Sequence, residues 1–261
     1  MYATALVIIA HGSRDPRHAA TVTELTARVR SLRPGLRVEV GYLDFCAPSV
    51  SQVLSRLAAD GVRDVVAVPL LLTHAFHAKA DIPAVLGEAR TALPHLRVRQ
   101  AAVLGPSALL TAALERRLAE AGVGPGERGS TGVVLASAGS SDPEAIAVIA
   151  AIAREWRLTG WCAVRPAFAS AAAPLTPVLG TEEAVRALRA DGARQVAVAP
   201  YVLAPGRLPD RIAAGAERAG AEVVADVLGP APEVAELLLR RFAQCRAARA
   251  VRTSLDVPLT A

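Results

Sequence analysis

The sequence predicts an α/β protein: two tandem domains from an internal duplication, each a parallel four-stranded sheet with helices on both faces. Three observations carry this. Short apolar, β-branched runs alternate with longer stretches whose apolar residues recur at helical spacing, the pattern of successive β-α units. A stretch rich in glycine and polar residues, GVGPGERGSTG at 122–132, breaks the chain near its middle and cannot support a core element. Beyond it, segments of the first half return in the same order. LVIIAHGSRDP (6–16) returns as VVLASAGSSDP (133–143), YLDFCAPSV (42–50) as AFASAAAPL (167–175), VVAVPLLL (65–72) as VAVAPYVL (196–203), and LGPSALL (104–110) as LGPAPEV (228–234).

In order, residues 6–10 read as the first strand, and Val22, Leu25, Val29 and Leu32 then line one face of a helix. RVEVGYL (37–43) is a second strand; Pro48 opens a helix to about Asp60 that Gly61 stops. Residues 64–72 are nearly all apolar, as a central parallel strand requires. Asp81 is the expected N-cap of the next helix, with Pro83 in its first turn. A strand at 96–103 and a helix from Gly105-Pro106 to about Ala121 complete the half. The expected division is 1–122, a linker at 123–132, a second domain at 133–249, and a loosely ordered tail at 250–261.

Composition narrows the function classes. The net charge of +5 comes from scattered arginines, with Lys79 the sole lysine, and only 3% of residues are aromatic. With neither a basic run nor rings for stacking bases, nucleic acid is not the expected partner; a polyanionic small molecule fits the surplus as well. Cys46, Cys162 and Cys245 are odd in number, far apart and without C-x-x-C, which reads as reduced thiols in a cytoplasmic protein. No apolar stretch approaches the ~18 residues of a membrane span, so no membrane role is expected.

The chemistry gathers in the first half. His11 follows the first strand, Asp44 the second, and THAFHAKADIP (73–83) brings His74 and His77 after the third. In an open parallel sheet, ligands bind at that edge. Two imidazoles and a carboxylate suit a divalent transition metal and leave positions open for exchange. Neutral histidines also accept protons near neutral pH. Each residue has a plainer reading. A strand-end histidine often only bonds its loop, Asp44 equally caps the turn before Pro48, and His74 is a second ligand, a proton acceptor or a bystander. His18 and His95 read as solvated surface residues. Ser13 and Asp15 read as caps of the first helix, because Asp142 keeps the latter position in the second half. Arg14 becomes Ser141 there, which makes Arg14 a candidate for substrate contact. In the repeat His11 faces Ala138, Asp44 faces Ser170, and THAFHAKADIP gives way to APGRLPDRI. All five histidines lie before residue 96, so one half is expected to be active and the other inert.

LVIIAHGSRDP, YLDFCAPSV and PLLLTHAFHAKADIP together resemble the motifs of the sirohydrochlorin chelatases, the class II chelatases of sirohaem and cobalamin synthesis. The duplication is similar to the two-domain members, in which a domain without the metal site replaces the partner subunit. The resemblance implies a lyase that inserts a divalent metal, Fe²⁺ before Co²⁺, into sirohydrochlorin, a tetrapyrrole with eight carboxylates, with no organic cofactor. It implies that His11 and His77, the latter four residues before Asp81, bind the metal and take up the pyrrole protons. The family's glutamate corresponds to Asp44, one methylene shorter. Arg14, Lys79, Arg207 and Arg211 are the candidates for the substrate's carboxylates across a cleft between the halves. The duplication makes a monomer, acting as a pseudo-dimer, the expected state. The competing reading is a divalent-metal binding or delivery protein without chelatase activity. Phosphoryl transfer through His11 is disfavoured because Ala10, not arginine, precedes it.

Overall fold

Each half folds around a parallel four-stranded sheet, ordered β2-β1-β3-β4 in the first and β6-β5-β7-β8 in the second. The computed structural model describes residues 4–74, 77–170 and 178–255, with the side chains of 77–78 and 249–255 outside that description. The first half comprises β1 (Ala5–Ala10), α1 (Pro16–Leu32), β2 (Val38–Tyr42), α2 (Val50–Ala59), β3 (Asp64–Pro69), α3 (Ile82–Ala92), β4 (Arg97–Gln100) and α4 (Ala108–Glu120). The second comprises β5 (Thr131–Ser137), α5 (Pro143–Arg157), β6 (Ala163–Phe168), α6 (Thr181–Ala190), β7 (Gln195–Tyr201), α7 (Arg207–Arg218), β8 (Val223–Val224) and α8 (Pro232–Leu255).

Every residue of β1 is buried, because β1 lies between β2 and β3 and is covered on both faces. The two-residue alternation of a strand then divides its side chains. Ala5, Val7 and Ile9 face one core with residues of α2 and α3, while Leu6, Ile8 and Ala10 face another. That second core is not private to the half. It also holds Val133 and Leu135 of β5, Trp156 of α5, and Leu237, Leu238 and Phe242 of α8. The halves therefore share one interior, with α6 and α7 covering the outer face of the second sheet.

The last helix of each half completes the other half's sheet. α4 packs against β7, while α8 packs against α1 and β3. Polar contacts fix the crossing: Arg241 donates to the Val103 carbonyl at 2.8 Å and the Leu104 carbonyl at 2.7 Å, and Arg116 pairs with Glu233 at 2.6 Å. Burying one leucine contributes about 1.5–3 kcal/mol, so Leu110, Leu114, Leu237 and Leu238, all fully buried, bind the halves more strongly than the Arg116–Glu233 ion pair.

Several elements begin or end away from their expected bounds. α2 starts at Val50, after a capping box in which Ser49 accepts from Gln52 N–H and Gln52 accepts from Ser49 N–H. Asp81 does not cap α3. A π-helical turn, His77–Asp81, runs directly into that helix, so Asp81 already has helical dihedrals. Leu32 is 49% exposed as the last residue of α1, while Val29 in the same turn is fully buried. The expected linker is a 3₁₀ turn, Pro125–Ser130, and its last two residues belong to β5, where Thr131 is buried. α8 stays helical through Leu255, beyond the start of the expected tail, and the rest of the tail lies outside the described residues. Among the described residues no helix is long and apolar enough to cross a membrane.

Candidate functional site

The strand order places the C-terminal ends of β1 and β3 side by side at the point where the connections change direction, the edge where ligands bind in open α/β sheets. His11 is the first residue after β1, and the segment with His74 and His77 follows β3. His11 is partly buried. Its carbonyl accepts the Asp44 N–H at 2.9 Å, which ties the loop after β1 to the loop after β2.

Gly12 makes that junction possible. Its φ is +95°, and a Cβ there would lie 1.8 Å from the Asp44 carbonyl oxygen. Only glycine allows the two loops to touch. Cys46 adds a second tie: its sulfur lies 3.5 Å from the Ser13 nitrogen and donates to the Ser13 carbonyl at 3.2 Å. Asp15 is the N-cap of α1, accepting from Arg17 N–H at 2.9 Å, and Ser13 Oγ accepts from Asp15 N–H at 3.0 Å. The cap readings of Ser13 and Asp15 therefore hold. The second half repeats them, with Ser140 Oγ accepting from Asp142 N–H and Asp142 from Glu144 N–H. Gly139 (φ +98°) meets Ser170 as Gly12 meets Asp44, and Ser170 N–H donates to the Ala138 carbonyl at 3.1 Å. The scaffold is duplicated, while its side chains change from His11 and Asp44 to Ala138 and Ser170.

Asp44 is exposed, and its Oδ1 accepts the Phe45 N–H at 2.8 Å, as the turn reading expects. His74 and His95 are exposed. The His77 side chain, like Ala75 and Phe76, lies outside the described residues, as does the end of the second-half segment at 171–177. Among the described side chains, which do not include that of His77, no group of three His, Cys, Asp or Glu could hold a metal ion.

His18 corrects an expectation. It is half-buried, not solvated, and its Nδ1 is buried without a hydrogen-bond partner among the described residues. Burial lowers its pKa first, and the charge of His11 lowers it further, so the neutral imidazole is favoured. The signal was in helix geometry. Side chains lean toward a helix N-terminus, so a histidine in the first turn of α1 lies over the loop that carries His11.

The basic candidates fare differently. Lys79 Nζ lies 2.9 Å from both Asp142 and Glu144 of the second half, carboxylates that raise its pKa. Arg17 bridges Asp15 and Asp210 at 2.6 Å each, a second tie between halves. Arg14, Arg207 and Arg211 are exposed, Arg207 as the first residue of α7 and Arg211 one turn further on. Between the halves lies an apolar cavity of about 220 Å³, lined by Leu70, Leu72 and Thr73 from the first half and Ser137, Gly139 and Tyr201 from the second. Burial holds the Tyr201 hydroxyl protonated by pushing its pKa far up.

Comparison with known proteins gives a consistent picture. The CbiX family model matches residues 5–121 and, a second time, 132–245. A sirohydrochlorin cobaltochelatase of Priestia megaterium is 32% identical over 216 residues, which cover 81% of this chain and 68% of the relative. A sirohydrochlorin ferrochelatase of the same organism is 27% identical over 212 residues, covering 81% and 77%. Among solved structures, SirB from Bacillus subtilis with Fe³⁺ superposes with a TM-score of 0.81 at 23% identity, over 95% of this chain and 97% of that one, a likeness of fold.

Proposed function

The chain belongs to the CbiX family, and from that premise we propose that it is a sirohydrochlorin chelatase, inserting a divalent metal into a polycarboxylate tetrapyrrole. The observation that carries this reading is the asymmetry of a duplicated scaffold. Corresponding loop junctions hold His11 and Asp44 in one half and Ala138 and Ser170 in the other. A metal carrier needs only the first of these halves. A flat macrocycle needs a second wall, which the inert half supplies.

In this mechanism His11 and His77 receive the ion at the C-terminal edge of the first sheet. The macrocycle enters between the halves, its carboxylates drawn to Arg14 and Arg207. Holding ion and ring together replaces a slow encounter by an arranged transfer. As the dication enters, two pyrrole N–H protons leave, so the ring's charge is unchanged, and His11 and His77 accept them as neutral imidazoles. Asp44 attracts the ion to the mouth of the site, and His74 serves as a further nitrogen donor beside His77. Lys79, held by Asp142 and Glu144, steadies the loop that carries His77. The ion is Fe²⁺ or Co²⁺, the metals for which the relatives are named. The helix exchange supports a chain that works as a monomer, and its free cysteines suit the cytoplasm.

The test is anaerobic absorbance of sirohydrochlorin mixed with Fe²⁺ or Co²⁺, comparing the protein with His11→Ala, His77→Ala and a protein-free control. Catalysed spectral change lost in either variant is expected, and the relative rates choose the ion. Rates equal to the control with both ions would reject the reading.

A further inference from the structure

Phe45 departs from its surroundings in three ways at once. It is 50% exposed, one of the few large apolar side chains on the described surface. Its φ of +59° makes it the one non-glycine residue with positive φ among the described residues. Its ring stands edge-on to His11, with centroids 6.1 Å apart and planes at 80°, and the Arg14 guanidinium lies 5.1 Å from its centre.

A bulky residue in the left-handed region is strained and persists only where its neighbours over-determine it. They do so here. Phe45 N–H donates to Asp44 Oδ1 at 2.8 Å, Cys46 N–H donates to the Asp44 carbonyl at 2.7 Å, and Cys46 is bound to Ser13. A residue needed only to turn the chain would be glycine or asparagine, which enter this region cheaply. The loop instead holds a phenyl ring half in solvent beside His11. Hydrophobic burial does not explain it, because half the residue is exposed. A cation–π contact with an exposed arginine is modest and needs no left-handed backbone.

We propose that Phe45 is the platform on which the tetrapyrrole's flat face rests, with Arg14, stacked on the same ring, receiving a peripheral carboxylate. This rests on the chelatase reading. The Phe45 centre is close enough to His11 to fall within the footprint of a macrocycle whose nitrogens reach that imidazole, so the bound ring covers it. Arg14 then lies at the rim, where its guanidinium can meet a carboxylate without leaving the phenyl ring it stacks on. Ser170 takes the place of Asp44 in the second half, so the residue that follows it in the sequence, in Phe45's place, is Ala171, which leaves the platform to the half that holds the metal.

The experiment compares wild type, Phe45→Gly, Phe45→Asn and Phe45→Trp in three measurements: binding of metal-free sirohydrochlorin, binding of Co²⁺ alone, and melting temperature. Phe45→Gly and Phe45→Asn are expected to melt at or above the wild-type temperature, because the strain is relieved, and to bind the macrocycle about tenfold more weakly. KM rises in step while Co²⁺ binding is unchanged. Phe45→Trp keeps macrocycle binding. A residue with a purely structural role would lower the melting temperature of the glycine variant and leave the macrocycle affinity alone, and that result overturns the proposal. If wild type binds sirohydrochlorin and the glycine variant binds it equally well, only the platform falls. If wild type neither binds it nor alters its spectrum with metal, the chelatase reading falls and takes the platform with it.

Discussion

Replacing Gly12 and Gly139 by alanine, each in turn, separates what the duplicated scaffold contributes to stability from what the first half contributes to chemistry. Gly12 has φ +95°, and an added Cβ would lie 1.8 Å from the Asp44 carbonyl oxygen; Gly139 has φ +98°, with 2.5 Å to the Ser170 carbonyl oxygen. Neither obstacle is a flexible side-chain tip, so the loops must part. The left-handed backbone costs an alanine about 1–3 kcal/mol, and forcing packed atoms aside costs a similar amount. A loss of about 4 kcal/mol follows for Gly12→Ala, which in a chain of this size lowers Tm by roughly 8–16 °C, and somewhat less for Gly139→Ala. Calorimetry measures both. Chelatase rates are then taken at a temperature where each variant is fully folded. Gly12→Ala is expected to lose most of its activity, because the displaced carbonyl belongs to Asp44, whose N–H holds the His11 carbonyl. Gly139→Ala is expected to keep it. Wild-type stability in Gly12→Ala would refute the steric reasoning, and equal activity in the two variants would refute the assignment of the chemistry to the first half.

Two further outcomes are expected. The lowered His18 pKa means that, below its ordinary value of 6.5, the unfolded chain binds a proton that the folded chain does not. Stability from this residue is therefore present above that pH and lost as pH falls toward the folded pKa. In metal-free protein, Tm should fall more steeply for wild type than for His18→Gln on going from about pH 7.5 to about 5.5, and parallel slopes would contradict the account. Leu237→Ala, at a fully buried position in the core common to both halves, should cost about 2–5 kcal/mol and shift a single calorimetric transition as a whole. Two separated transitions would mean that the halves fold independently.

The sheets and their repetition were legible because the strands are apolar, short and regularly spaced, and a duplicated core preserves that pattern. The asymmetry was legible too, since the loss of His11 and Asp44 from the second copy needs only an alignment of the halves. The exchange of α4 and α8 left no local trace. An apolar stripe such as Leu110, Leu114 and Leu118 looks the same whichever sheet it covers, and only the three-dimensional path of the chain decides. Asp81 read as a cap from its place before Pro83, yet the π-helical turn from His77 had already begun the helix. For a shared reason, the half-burial of His18 and the placement of Phe45 were not legible. Both owe their position to backbone direction, one to the lean of side chains toward a helix start and the other to a left-handed turn, and neither is encoded in spacing. Gly12 is the converse: an ordinary loop glycine in the sequence, and the contact on which the site is built.

The central claim is that one half of a duplicated scaffold holds the ion while the other serves as a wall. Titration of the metal-free protein with Co²⁺ under anaerobic conditions, followed by calorimetry and by the ion's visible absorbance, tests it most directly. One bound ion per chain is expected, with nitrogen-donor bands that disappear in His11→Ala and persist in Gly139→Ala. Two ions per chain, or one that survives His11→Ala unchanged, would contradict it.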